Sequence, residues 1–294
     1  VKLYLSELGI VNALGVGKAE VAAGLLRGAS EMASYGPLLS GRATRVARVT
    51  RTPAPLPEAL ADLDCRNNRL LAMALDEIAP AVEALREALG AHRIAALVGT
   101  STSGIEAGEE AVQAAAATGR FPIGFNYKQI EIGTPALFAA RYLKLSGPRY
   151  TISTACSSSA KALASAARLI GSGRCDAAVV GGADSLCRLT VNGFDALESL
   201  SANVCNPFSV NRDGINIGEG ACVFLLTKTP APIALLGCGE SSDGYHMSAP
   251  DPRGRGAEIA MRAALAAADL GADAIGYLNL HGTATPKNDE MESR

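Results

Sequence analysis

Along this chain, short runs of consecutive apolar residues alternate with longer stretches in which apolar positions recur at helical spacing. Runs at 94–98, 150–154, 177–180, 222–226, 233–236 and 275–280 predict buried strands. Stretches at 18–27, 67–89, 105–117, 135–145, 157–170 and 257–268 predict helices, several of them rich in Ala, the strongest helix former. Gly, Ser and Pro punctuate the joins, as at Ser146-Gly147-Pro148 and Gly171-Ser172-Gly173. The segment 51–57, with Pro53, Pro55 and Pro57, predicts an exposed loop. Buried strands separated by helices define an α/β fold with a layered core.

Composition narrows this picture. A chain of 294 residues accommodates one large domain or two, and 48% apolar content is enough to bury a full core. Aromatic content is 4% and Trp is absent, so heavily used Ala and Gly must let helices and strands approach closely. A net charge of −2 gives no electrostatic reason to expect nucleic acid or an anionic membrane as partner. No apolar run reaches the roughly 18 residues of a membrane span, and the N-terminal residues lack the pattern of a signal peptide. A cytoplasmic location is therefore expected. Seven cysteines, an odd count with no CxxC pair, argue against a disulfide framework and against a zinc site, and no metal is expected.

Candidate chemistry concentrates in three segments. In 147–160 a β-rich run ends in small residues, Cys156 follows, and a helical pattern begins. Ala155, Ser157, Ser158 and Ser159 permit a sharp strand-to-helix turn, which would place the thiol at a helix start. The macrodipole and free N–H groups there favour a thiolate and an oxyanion. Spacing alone leaves open an inert cysteine in a Ser-rich cap. Of three histidines, His92 reads as a surface residue and His246 as a loop residue, while His281 ends the apolar run 275–280 and opens Gly282-Thr283-Ala284-Thr285. A polar residue at that end of a buried strand is a common place for a site in α/β proteins. A satisfied core histidine is the alternative. Gly181-Gly182-Ala183-Asp184 and Gly214…Gly218-Glu219-Gly220 are not nucleotide fingerprints. Gly15-Val16-Gly17-Lys18 fails as a phosphate loop because Asn12 and Ala19 stand where Gly and Ser or Thr are needed.

Taken in order, Thr154-Ala155-Cys156-Ser157-Ser158, Gly181-Gly182-Ala183-Asp184, Pro207-Phe208, Arg212-Asp213-Gly214, Gly218-Glu219-Gly220-Ala221, Ser241-Ser242-Asp243 and His281-Gly282-Thr283-Ala284-Thr285 resemble the elongating β-ketoacyl-acyl-carrier-protein synthases. The resemblance implies a thiolase-like layered α-β-α-β-α fold. A first half, 1–228, would carry the nucleophile and a second, 229–294, the histidine. It also implies that Cys156 accepts an acyl chain as a thioester and that His281 stabilises the enolate formed from malonyl-carrier protein. Thr283 and Thr285 would bind the phosphopantetheine arm, and Phe194 would line the acyl pocket. Acyl carrier protein is the implied partner, bringing the phosphopantetheine, with no cofactor of the chain's own. A homodimer is implied, or a heterodimer with a homologue.

No histidine follows His281, and the family's second histidine, lysine and glycine-rich C-terminal segment have no counterpart. The expectation drawn from this is an incomplete second half, a chain truncated before its second catalytic His, with poor binding or self-acylation and no condensation by the chain as it stands. Function reads first as fatty-acid-type elongation. The alternatives are a discrete polyketide or aryl-polyene ketosynthase, towards which Cys156-Ser157-Ser158-Ser159 leans, and a non-catalytic partner resembling a chain-length factor, against which Cys156 itself argues.

Overall fold

The computed structural model describes residues 2–28, 32–246 and 249–294. In chain order its regular elements are β1 (Leu3–Asn12), β2 (Gly15–Val16), α1 (Gly17–Leu26), β3 (Ala33–Tyr35), β4 (Thr44–Ala47), α2 (Arg66–Leu89), β5 (Ile94–Gly99), α3 (Ile105–Thr118), α4 (Thr134–Tyr142), β6 (Arg149–Ile152), α5 (Ser158–Gly171), β7 (Ala177–Asp184), α6 (Arg188–Ala196), β8 (Ile217–Gly218), β9 (Gly220–Thr227), β10 (Ile233–Leu235), α7 (Arg255–Ala268) and α8 (Pro286–Glu292). They fall into two compact units. The first comprises 1–32, 47–191 and 218–234, and the second 33–46, 192–217 and 235–294.

The first unit is built on a sheet of order β10-β1-β9-β7-β5-β6, with β2 added to β1. β5 runs parallel to both β6 and β7, whereas β9 is antiparallel to β7 and β1. Successive strand residues face opposite sides of a sheet, and β5 is buried on both. Ile94, Ala96 and Val98 join the cluster that holds Leu70, Leu71, Leu75 and Ile78 of α2 and Phe138 of α4. On the other face a Cβ on Gly99 would lie 2.5 Å from the Ser158 carbonyl carbon and the Ser159 nitrogen. Glycine there is what lets α5 start flush against the sheet, as the Ala- and Gly-rich composition anticipates.

The second unit contains a hairpin that pairs Ala33 with Val46 and Tyr35 with Thr44. Its α7 lies against the 237–239 strip, where Cβ atoms on Gly237 and Gly239 would meet the carbonyl oxygens of Ala264 and Ala260 at 2.3 and 1.9 Å. The run 275–280, expected as a strand, joins no ladder among the described residues. Tyr277 and Leu278 are more than half exposed. An apolar run supplies one side of a strand, and ladder partners must supply the other. No helix among the described residues is long and apolar enough to cross a membrane.

Candidate active site

Cys156 sits on a turn that the backbone makes sharply. β6 ends at Ile152, Ala155 adopts the left-handed region at φ 53°, and α5 begins at Ser158. A non-glycine residue in that region is strained and persists only where its surroundings hold it. They do so here. Thr154 N–H donates to Ser158 Oγ at 2.9 Å, Ser158 Oγ donates to the Ala155 carbonyl at 2.6 Å, and Ser157 Oγ donates to the Thr154 carbonyl at 2.9 Å. The small, hydroxyl-bearing neighbours thus tie the turn together, and the Cys156 side chain is exposed at its apex. Burial separates four of the other thiols from it: Cys65 and Cys222 are pushed up to about 11, and Cys175 and Cys187 are also raised, in each case chiefly by desolvation.

Asp184, at the end of β7, gathers the loop that follows β5. It accepts from Thr100 Oγ1 at 2.9 Å, from Ser101 and Thr102 N–H at 2.7 and 2.9 Å, and from Thr102 Oγ1 at 2.8 Å. Glu219 does similar work at the start of β9. It accepts from Arg66 Nε at 2.9 Å, Val49 N–H at 3.0 Å and Leu186 N–H at 3.2 Å, with its side chain fully buried. Burial raises its carboxyl, but the Arg66 guanidinium and the two N–H donors outweigh burial and hold it below the ordinary 4.5. The acidic residues of the two glycine motifs are therefore braces of the sheet's loops.

The second unit holds His281, Thr283, Thr285 and Phe194. His281 is exposed, and its loop is shaped by α8. The N–H groups of His281 and Gly282 each donate to the Glu292 carboxylate at 2.8 Å, and Asn288 Nδ2 adds a third bond at 2.9 Å. Asp289, buried in the same helix, accepts from Ala284 N–H at 3.1 Å and from Phe208 N–H at 2.7 Å. The hydroxyls of Thr283 and Thr285 lie 2.8 Å apart, both half-buried. Phe194 is half-buried in α6. His92 and His246 are exposed. Sequence reasoning did not single out Asp289 or Glu292. Their signal was available, because two carboxylates one helical turn apart directly after the histidine loop are well placed to receive its N–H groups.

A thiol on a strand-to-helix turn, a histidine-threonine loop braced from a following helix, and a layered sheet between them in sequence define a thiolase-like α/β fold. The family profile described as the β-ketoacyl synthase N-terminal domain matches residues 66–231, and that of the C-terminal domain matches residues 233–294. The chain belongs to the β-ketoacyl synthase family. It is 36% identical over 212 residues to nodulation protein E of Rhizobium meliloti, covering 69% of this chain and 52% of that protein. It is 37% identical over 163 residues to 3-oxoacyl-[acyl-carrier-protein] synthase 2 of Vibrio cholerae, covering 50% and 39%. The chain thus spans about half the length of the curated relatives it matches. Among solved structures it is similar to the ketosynthase ApeO of Xenorhabdus doucetiae, determined in complex with its chain length factor ApeC. The identity is 47% and the TM-score 0.95, covering 99% of this chain and 74% of that one. The ishigamide ketosynthase/chain length factor is similar at 26% identity and a TM-score of 0.87.

These findings correct two expectations. The second half is not a fragment that barely begins: residues 233–294 match the C-terminal domain profile, and β10, α7 and α8 are formed there. The thiolase-like fold runs through both matched parts, and the expectation of a chain truncated before its second half is formed is overturned by that match. That inference used the absence of particular side chains after His281 as its criterion. The fold is carried instead by backbone packing, such as Gly237 and Gly239 against α7, and by the Asp289 and Glu292 braces.

Proposed function

We propose that this chain is the thiol-bearing subunit of a discrete ketosynthase that elongates acyl chains on an acyl carrier protein, in polyketide or aryl-polyene assembly rather than fatty-acid elongation. The observation that carries the reading is the 47% identity to ApeO across 99% of this chain. The resemblance to 3-oxoacyl-[acyl-carrier-protein] synthase 2 of Vibrio cholerae covers only half of it. Because ApeO was solved with a chain length factor, the favoured partner is a homologous second chain, and a homodimer becomes the alternative. Retention of Cys156 at an exposed turn supports a catalytic role over that of the non-catalytic partner.

In this reading the Cys156 thiolate, favoured by the start of α5, attacks the thioester carbonyl of an acyl-carrier protein. The phosphopantetheine thiol leaves, and the acyl group remains on Sγ. The Cys156 N–H stabilises the oxyanion. A malonyl-carrier protein then enters with its arm against Thr283 and Thr285. Loss of CO2 leaves an enolate whose oxygen His281 stabilises. The enolate carbon attacks the acyl-Cys156 carbonyl, the tetrahedral intermediate expels the thiolate, and a 3-ketoacyl-carrier protein is released. Phe194 lines the acyl pocket. The parts 1–228 and 229–294 would contribute nucleophile and histidine respectively, in the cytoplasm. The phosphopantetheine arrives as part of the substrate.

The decisive experiment incubates the protein with a medium-chain acyl-carrier protein and reads its intact mass. A gain of one acyl group that disappears in Cys156→Ala is expected. With malonyl-carrier protein and the partner chain added, a 3-ketoacyl product should follow. Condensation that persists in Cys156→Ala would show that this chain is not the catalytic subunit.

A further inference from the structure

Phe208 is unusual in three respects at once. Its backbone is left-handed at φ 60°, a region that bulky residues avoid, and its side chain is nonetheless 42% exposed. Its turn is also held from several directions. Phe208 N–H donates to buried Asp289 at 2.7 Å. Arg212 donates from Nη1 to the Ser209 carbonyl at 3.0 Å and from Nη2 to the Pro286 carbonyl at 3.2 Å, so one guanidinium joins the Phe208 turn to the start of α8. Asn206 Nδ2 closes the turn onto Asn211 Oδ1 at 2.8 Å. The ring then lies beside the histidine loop: a methyl placed on Gly282 would touch Phe208 Cε2 at 3.4 Å and Pro207 Cβ at 3.5 Å. Gly282 is the residue between His281 and Thr283.

Strain of this kind persists when the surrounding structure over-determines it, and it concentrates where a function needs the geometry. Core packing does not account for it, because the ring is substantially in solvent. The same Asp289 carboxylate that holds Phe208 also holds Ala284, itself left-handed at φ 58°, between the two threonines. Ring and threonine pair are therefore set by one anchor. Hydroxyls beside a fixed apolar wall suit an extended arm in which amide groups alternate with methylene and gem-dimethyl segments.

Resting on the ketosynthase reading above, we propose that Phe208 is a specificity-determining residue whose ring forms the apolar wall for the substrate's pantetheine arm, opposite the amide-binding hydroxyls of Thr283 and Thr285. It positions the arm and takes no part in bond making.

The test measures acyl loading of the protein as a function of substrate concentration, with acyl-pantetheine free of any carrier and with the same acyl group on carrier protein. Phe208→Ala retains a Cβ, so the backbone strain is unchanged, and thermal unfolding serves as a check on folding. The expected result is a half-saturation concentration raised about five- to tenfold for both substrates, the scale of one lost aromatic contact, with the effect falling there rather than on the maximal rate. Phe208→Tyr should restore most of it. An increase for the carrier-bound substrate alone would overturn the proposal in favour of contact with the carrier's protein surface. A fall in maximal rate at unchanged half-saturation would overturn it in favour of a role through the His281 loop, and no change in either would overturn it outright. Failure of the unaltered protein to load from either substrate is the separate result that removes the ketosynthase reading itself.

Discussion

Cys156 is the one exposed thiol among seven, and desolvation pushes those of Cys65 and Cys222 up to about 11. Iodoacetamide near pH 8 should therefore modify Cys156 well before the buried cysteines, with peptide mapping as the readout. Equal labelling of Cys156 and Cys65 would contradict the exposed turn. The histidine loop depends on Glu292 in a different way, since that carboxylate receives two adjacent N–H groups. Replacing it by Gln turns one acceptor into a donor facing a donor. Glu292→Gln should lower the maximal condensation rate about tenfold or more, the order of losing a charge-assisted hydrogen bond. Far-UV circular dichroism should stay unchanged. Retained activity would show that the loop is held by other means.

At the level of elements, the tightest constraint is the seat of α5 on the sheet. Gly99→Ala would put a methyl 2.5 Å from the backbone of Ser158 and Ser159. Relief requires the helix start, and with it the Cys156 turn, to shift. We expect a destabilisation of about 2–3 kcal/mol in denaturant unfolding, together with loss of acyl loading beyond what stability alone would cause. The elements that could be read from sequence were those with long or uniform patterns. The runs of β5, β7 and β9 and the helices α2 and α5 lie within a few residues of expectation. β1 was missed because Ser6 and Glu7 interrupt its apolar run and its register shifts between Leu5 and Glu7, which breaks the alternation. α8 was missed because it is short and polar, with no apolar face to repeat. The run 275–280 was over-read, since ladder partners rather than hydropathy make a strand. In the site, Cys156 and His281 stood out by local context, whereas Asp289 and Glu292 were passed over because they act through backbone N–H groups from a short polar helix that the hydropathy pattern does not mark.

For the molecule as a whole, acid stability should carry the mark of Glu219. Its folded carboxyl is held below 4.5, so its contribution is fully present above about pH 4.5 and is lost as pH falls through the lower folded value. Glu219→Gln should flatten that part of the stability profile and cost about 3 kcal/mol near neutrality, because Arg66 would be left without its partner. Denaturant unfolding between pH 3 and 7 reads both effects, and parallel profiles would show that other carboxylates dominate. Finally, the left-handed Ala155 that presents the Cys156 thiol sets two selective pressures against each other. A glycine there would relieve the torsional penalty and gain in the folded state what it loses in chain entropy, yet it would let the thiol wander. Variants chosen purely for heat resistance should tolerate glycine at this position, whereas variants chosen for turnover should keep alanine, so a library screened for both endurance and turnover would show position 155 as a point of conflict between them.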